Sequence, residues 1–392
     1  MVWYHSVLHD SLFQFSWSTT MTFPILSTES LAKRKINYPL IFLSCLILTL
    51  SAWNFWCAEE EFKGKDLRGS VLPSWALQDF TSNPCSNDQK ESMGVVVLGM
   101  HRSGTSMLTG LLATAYGYYT GEDEELIPPR YANAKGYFER FDIVRQNDRF
   151  LQEARKTMPW FNGNILFTPL VIVGYNADSQ EMVNKTFDPD LTTAINFLNN
   201  RHAIPPNHTT IPWILKDPRM CITLRTWLPL IESPPAALIT YRHPAEVAHS
   251  VASRDRKPML IGLKAWIAYN AALVRNSMGL CRVITKNSDL LFTPQTEIRR
   301  IVDELQTKCK VVPPPIAEAD PAVVNEFIDV KMQGSRHAEL TPCVDGKPYF
   351  NVTTTGLKPT SRKFYKKAME LFCDMESGIA FLPNYTGWPT EY

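Results

Sequence analysis

The rhythm of apolar positions changes along the chain, and each change predicts a different kind of element. The first pattern is an uninterrupted run: between Lys35 and Glu59 lie 23 residues without a charge, INYPLIFLSCLILTLSAWNFWCA. At ~1.5 Å per residue, a helix of that length spans about 34 Å, enough for a hydrocarbon core of about 30 Å. Trp53 and Trp56 stand at its far end, where amphipathic rings favour the interface. Lys33-Arg34-Lys35 precedes it and Glu59-Glu60-Glu61 follows it. This asymmetry predicts a cytoplasmic tail over 1–35, a signal anchor over 36–58 and a lumenal remainder. A cleaved signal peptide would start nearer residue 1, with a shorter apolar stretch and a small-residue cleavage site. The bulky Trp-Asn-Phe-Trp-Cys end argues against it, although Ala58 leaves cleavage open. Met21 is an alternative start that shortens the tail and changes nothing else.

Residues 59–92 mix charge, Ser, Pro and Gly without periodicity and read as a stem. From Gly94 the pattern becomes strand, turn, helix, and residues 93–392 read as one folded domain. Val95-Val96-Val97-Leu98 is a short β-branched run of the kind that fills a buried parallel strand. Residues 104–115 place Met107, Leu108, Leu111 and Leu112 on one helical face. Pro212–Lys216, Ala237–Tyr241 and Cys281–Thr285 read as further strands, and 244–253, 261–277 and 294–308 as helices. Strands alternating with helices predict an α/β fold, a central parallel sheet flanked by helices, preceded by one transmembrane helix.

Composition narrows the function classes. Lys plus Arg number 40 against 39 for Asp plus Glu, so no global charge draws the chain to nucleic acid, and an anion site must be built locally. Asn184, Asn207, Asn351 and Asn384 each begin an N-x-Thr acceptor for N-glycosylation, and all four follow the apolar run. Cys45 lies within that run and Cys57 at its edge. Cys85, Cys221, Cys281, Cys309, Cys343 and Cys373 are spread widely with no C-x-x-C pair, which is poor for zinc and compatible with lumenal disulfides or buried thiols.

Candidate chemistry starts after the first strand, at Gly99-Met-His-Arg-Ser-Gly104-Thr105-Ser106. The glycines have the G-x-x-x-x-G spacing of a phosphate-binding loop between strand and helix. Ser103, Thr105 and Ser106 add hydroxyls, and the helix N-terminus adds partial positive charge. Thr105 stands where nucleotide triphosphatases carry lysine, and the cation comes earlier, at Arg102; an ATP–magnesium cradle is therefore disfavoured.

Arg102-Ser103-Gly104-Thr105-Ser106 resembles the [KR]-S-G-T-[TS] motif of the P-loop sulfotransferases, which take sulfate from 3′-phosphoadenosine-5′-phosphosulfate (PAPS). That family's second motif, an Arg and a Ser eight residues apart after a later strand, is matched by Arg242 and Ser250 in Tyr241-Arg-His-Pro-Ala-Glu-Val-Ala-His-Ser250. The resemblance covers roughly residues 94–310; the C-terminal 80 residues add little to it. It implies PAPS held by Arg102, Ser103, Gly104, Thr105, Ser106, Arg242 and Ser250, a Golgi type II membrane enzyme, and no catalytic metal. It also implies a hydroxyl acceptor, on a glycan first and a secreted-protein tyrosine or small metabolite after it. Lys216 and Arg219, in Lys-Asp-Pro-Arg at the end of the second strand, are candidates for acceptor or cofactor contact, or form a structural Lys–Asp–Arg cluster.

In-line sulfuryl transfer needs a base for the acceptor hydroxyl and a cation for the charge on the leaving oxygen. Arg102 is the candidate cation. Glu139 is the preferred base, in a Gly-Tyr-Phe-Glu stretch that resembles the Asn-x-x-Gly-[YF]-[FW]-Glu segment of some membrane and bacterial sulfotransferases, with Asn133 and Gly136 nearby. Asp123 is the second, in a Gly121-Glu-Asp cluster similar to the Gly-Glu-Glu of tyrosylprotein sulfotransferases but one methylene shorter. His101 and His243 flank the phosphate motifs and are given no role. Trp266 and Tyr269 could line an acceptor groove, although an aromatic helical stripe is more often core. The rivals are a Golgi glycosyltransferase, for which Asp188-Pro-Asp190 has the Asp-x-Asp form of a metal–nucleotide site, and an inactive PAPS-binding protein of the same fold.

Overall fold

The computed structural model describes residues 92–130, 133–156, 169–175, 179–199, 211–328, 340–350 and 358–389. All of them belong to the second of two compact units, Leu67–Tyr392. The expected anchor at 36–58, Cys45, Cys57, Cys85, Asn207 and Asn351 lie outside the described residues. Among the described residues, no helix is long and apolar enough to cross a membrane.

Four parallel strands form the central sheet: β1 (Gly94–Leu98), β2 (Trp213–Lys216), β3 (Ala236–Tyr241) and β4 (Arg282–Lys286), in the order β2-β1-β3-β4. Every residue of β1, β2 and β3 is buried, whereas β4 alternates as an edge strand does. Side-chain alternation divides the sheet between two cores. Val96, Leu98, Leu215, Ala237 and Ile239 face one; Val95, Val97, Ile214, Leu238 and Val283 face the other. Burying four aliphatic side chains on β1 alone contributes about 1.5–3 kcal/mol apiece.

The second core is closed by α1 (Thr105–Tyr116). The first core takes α2 (Phe141–Arg155), the short α3 (Pro169–Gly174) and α4 (Ser179–Thr186), then α5 (Pro189–Leu198) and α6 (Met220–Trp227). Beyond β3 it also takes α7 (Pro244–Asp255) and α8 (Met259–Asn276). After β4 come α9 (Asn287–Phe292), α10 (Pro294–Thr307) and α11 (Pro321–Phe327), which return to the second core. A hairpin of β5 (Cys343–Val344) and β6 (Lys347–Pro348) leads to α12 (Pro359–Glu376), packed on the first. The central parallel sheet flanked by helices therefore matches the expected α/β class.

The expected strands and helices all form, within a few residues at their ends. Ser92, at the end of the expected stem, already belongs to the folded unit: its N–H donates to Lys310 O at 3.0 Å and its carbonyl accepts from Val312 N–H at 3.1 Å. Two disulfides form, Cys281–Cys309 and Cys343–Cys373, while Cys221 is a buried free thiol. Loops of that length give about 3–4 kcal/mol each in the chain-entropy picture. The second bridge ties in the C-terminal region, whose α12 puts Ala368, Met369 and Cys373 fully into the core.

The topology sets one location apart. The chain leaves β1 toward β2 and leaves β3 toward β4, in opposite directions across the sheet. The crevice outside the carboxyl ends of β1 and β3 is thus a topological switch point, where ligands of open parallel sheets bind.

His243 caps α7 beside that crevice. Its Nδ1 accepts from Ala245 N–H at 3.3 Å, and its Nε2–H donates to Thr341 O at 3.2 Å. Burial pushes its pKa down to about 4. The folded value lies below the unfolded one, so nothing is lost above pH ~6.5. As pH falls further, the unfolded chain takes the proton first and stability drops. We expect His243→Gln to remove about 2–3 kcal/mol of the stability lost between pH 7 and 4.5, read by urea unfolding of both proteins at each pH.

Candidate functional site

The loop after β1 turns back on itself, with Ser103 N–H donating to Met100 O at 3.1 Å. Arg102 sits at φ 71° and Gly104 at φ 87°. For an L side chain that backbone costs on the order of 1–3 kcal/mol, a strain that clusters at functional sites. A Cβ on Gly104 would also meet Asn287 Nδ2 at 2.1 Å, so any other residue would have to displace that side chain as well as hold the left-handed φ. Helix α1 starts directly from Gly104 with no side-chain cap and no acidic residue in its first turn. Its first N–H groups are left for an anion. Ser103 Oγ is buried in the same loop without a hydrogen-bond partner. Leaving such a hydroxyl unpaired costs about 1–3 kcal/mol, which a ligand oxygen would relieve.

The second motif meets the first at the switch point. Arg242 follows β3, and Ser250 lies nearly two turns along α7. Arg102 Nε donates to Ser250 Oγ at 2.8 Å, and Arg242 Nη1 approaches Arg102 O at 3.4 Å. Glu246 holds Arg242 Nε at 3.1 Å, and Trp266 Nε1 donates to Arg242 O at 3.0 Å. Burial lowers the Arg102 pKa, and the neighbouring Arg254 and Arg242 lower it further. Arg254 stands four residues beyond Ser250, on the same face of α7. That helical spacing was readable in the sequence and was missed. Trp266 and Tyr269 are fully buried core residues, so they line no groove.

Glu139 and Lys216 meet as a buried ion pair, Lys216 Nζ donating to Glu139 Oε1. Burial pushes the Glu139 pKa up; Lys216 opposes the rise and Asp217 adds to it. Arg219 turns to other partners: Nη1 to Asp217 at 2.9 Å and Nε to Asp148 at 2.7 Å. Asp217 is fully buried and also accepts from Asn147 Nδ2 at 2.8 Å. Asn147 Oδ1 in turn accepts from Thr223 at 2.6 Å and Trp227 Nε1 at 2.8 Å. The expected Lys–Asp–Arg turn is therefore half right as a cluster: Arg219 pairs with Asp217, and Lys216 reaches the distant Glu139. Asn147 and Asp148, on α2, carried no motif by which sequence reasoning could find them.

The two candidate bases turn out to share one small structure. Leu126 bridges Arg140 in antiparallel fashion, and Ile127 N–H donates to Glu139 O at 2.8 Å. Arg140 bridges Glu125 at 2.6 Å and Asp142 at 2.9 Å. Asp123 is exposed on the 3-10 turn Asp123–Glu125, whose Glu122 and Glu125 form a capping box. Glu139 faces inward on the adjoining segment.

His101 lies in the loop with its ring against Tyr269, 5.7 Å between centroids, and burial with Arg219 close by holds its pKa well below the usual imidazole range. Gly99 N–H donates to Cys221 Sγ at 3.2 Å, so the free thiol supports the loop backbone. Thr105 is buried, and Ser106 is half-buried in the first turn of α1. Asp188 caps α5 by accepting from Asp190 N–H at 2.8 Å, and Arg149 pairs with Asp188 at 2.9 Å and Asp190 at 3.1 Å. Among the described residues, no group of three or more His, Cys, Asp or Glu is placed to hold a metal. Asn184 and Asn384 are exposed, while Thr186 of the first acceptor is buried against Gln146.

No family model and no curated protein matches the chain. Among solved structures it is similar to the sulfotransferase domain of the Synechococcus PCC 7002 olefin synthase. That likeness has 14% identity and a TM-score of 0.38, covering 76% of this chain and 98% of that one. It is similar also to the sulfotransferase domain from the curacin biosynthetic pathway, at 14% identity and a TM-score of 0.34, over 70% of this chain and 96% of that one.

Removing one partner of the buried Lys216–Glu139 pair strands the other charge. Lys216→Met is expected to cost about 3–5 kcal/mol of stability, and Lys216→Met with Glu139→Leu to recover most of it. Urea midpoints of the two variants against wild type check this; equal losses in both would contradict it.

Proposed function

We propose that the chain is a sulfotransferase that moves a sulfuryl group from PAPS to a hydroxyl acceptor. The observation that carries this is the meeting of Arg102 and Ser250, from motifs 148 residues apart, at the switch point between β1 and β3. Ser103 Oγ without a partner, the uncapped start of α1 and the crowding of Arg102 by other cations all fit a polyanion there. Ser103, Gly104, Thr105 and Ser106 would hold the 5′ side of the donor, and Arg242 and Ser250 its 3′-phosphate. The donor supplies the sulfuryl group and a phosphate leaving group.

Each side chain then has a definable task. Glu139 takes the acceptor's hydroxyl proton at its carboxylate, and its raised pKa makes it a stronger base than an exposed Glu. Glu139 is preferred over Asp123 because it faces inward beside Lys216, whereas Asp123 is at the surface. Arg102 stabilises negative charge on the departing oxygen. Arg219, fixed by Asp217 and Asp148, is preset as a rigid donor toward acceptor or donor.

The compartment belongs to the same proposal: a type II Golgi membrane protein anchored by residues 36–58, with a glycan as the first acceptor class. The two disulfides support an oxidising compartment. A glycosyltransferase reading loses its one candidate, because Asp188 and Asp190 are committed to a helix cap and Arg149.

The test uses the detergent-solubilised full chain with radiolabelled PAPS and a panel of glycans and tyrosine peptides. Label transfer to a glycan is expected. Arg102→Ala and Arg242→Ala should each weaken binding of adenosine 3′,5′-bisphosphate by about 1.5–3 kcal/mol. Folded wild-type protein that binds neither nucleotide would overturn the proposal.

A further inference from the structure

The segment that carries Glu139 is held from outside the crevice by a contact that no catalytic role explains. Three consecutive side chains leave it toward three different neighbours. Tyr137 lies within electrostatic reach of Arg102 in the phosphate loop. Glu139 pairs with Lys216 at the end of β2. Phe138, between them, points toward α1 and α11.

Phe138 has φ 54°, a left-handed conformation that aromatic residues rarely adopt. The seat of its ring accounts for this. A Cβ on Gly110 of α1 would meet Phe327 Cζ at 2.2 Å and Phe138 Cε2 at 2.6 Å. The two rings therefore fill a notch that exists because residue 110 has no side chain. Their centroids are 6.1 Å apart. Lys135 fastens the same segment to α11 from its other end, donating to Glu326 O at 2.5 Å and Phe327 O at 2.7 Å. Gly136, at φ 103°, gives the chain the turn between Lys135 and the ring.

We infer that Phe138 is a positioning residue: its ring, wedged over Gly110 against Phe327, holds the backbone left-handed and thereby aims the Glu139 carboxylate at Lys216 and the crevice. This rests on the proposed role of Glu139 as the base. Without the wedge, residue 138 relaxes toward ordinary φ, and the direction of the Glu139 side chain turns with it. The groups facing Glu139 are Lys216, Asp217 and Arg219, all from β2 and the turn after it. Swinging the carboxyl away from them into water returns it toward an ordinary Glu.

The test combines a contact readout with a kinetic one on the full chain. A carbodiimide joins a carboxylate to an amine in contact, so wild-type protein should give a Glu139–Lys216 isopeptide visible by peptide mass spectrometry. Phe138→Ala removes the ring but keeps a Cβ, so the strained φ is free to relax, and Gly110→Val fills the notch and displaces the ring without changing the segment's own sequence. Both should lower the cross-link yield about tenfold and kcat/KM for sulfuryl transfer from PAPS about 10²-fold, the scale of a ~1 Å misplacement. The acid limb of kcat/KM should also move to lower pH, while the Kd for adenosine 3′,5′-bisphosphate stays within about twofold of wild type. Phe138→Leu, which can still enter the notch, should restore most of both readouts. Cross-link and acid limb unchanged in Phe138→Ala and Gly110→Val would overturn the inference. Wild-type protein that cross-links but binds no nucleotide would overturn the sulfotransferase proposal and leave the wedge standing.

Discussion

Arg102, Arg242, Arg254, Lys216 and Arg219 gather around the carboxyl ends of β1, β2 and β3, and cations brought together in partial burial repel unless anions compensate them. Most of them have such a partner. Lys216 has Glu139, Arg219 has Asp217 and Asp148, Arg242 has Glu246, and Arg254 has Asp255. Arg102 donates instead to the neutral hydroxyl of Ser250. Much of the architecture around the crevice follows from keeping these groups in place: the Asn147–Asp217 hydrogen bond, the cap at His243, and Trp266 fixing the backbone of Arg242.

Two of the five non-glycine residues with left-handed φ among the described residues belong to this site. Arg102 and Phe138 are both left-handed, one in the phosphate loop and one beside Glu139. Each is held by contacts that reach other layers of the fold. Arg102 is bonded to α7, and Phe138 is wedged between α1 and α11. A site built this way is stiff, because a shift in either loop must break packing several residues away. That stiffness would suit the proposed in-line transfer, where positioning supplies much of the rate.

The parallel sheet was legible because its strands are short β-branched runs buried on both faces, and the candidate phosphate motifs stood out because their spacing is local. The meeting of Arg102 with Ser250 could be anticipated only through the family resemblance; no periodicity connects residues 148 apart. Glu139 was singled out by its neighbours in sequence, but its partner was not, since Lys216 reaches it from β2. The network around Asn147 and Asp148 was invisible, because an amide and a carboxylate on an amphipathic helix look like solvent-facing residues. Trp266 and Tyr269 went the way an aromatic helical stripe more often goes: a groove was open to them, and both are wholly core. Asp123, singled out by its acidic cluster, lies exposed on a turn that its neighbours Glu122 and Glu125 cap.

On the proposed reading, a nucleotide carrying two phosphates lodges in the crevice between β1 and β3. The most direct measurement is a crystal structure of the full chain with adenosine 3′,5′-bisphosphate. The account predicts the 5′-phosphate on the Gly99–Ser106 loop within hydrogen-bonding distance of Ser103 Oγ, and the 3′-phosphate against Arg242 and Ser250. Nucleotide bound elsewhere on the molecule, with Ser103 Oγ still unpartnered, would contradict it.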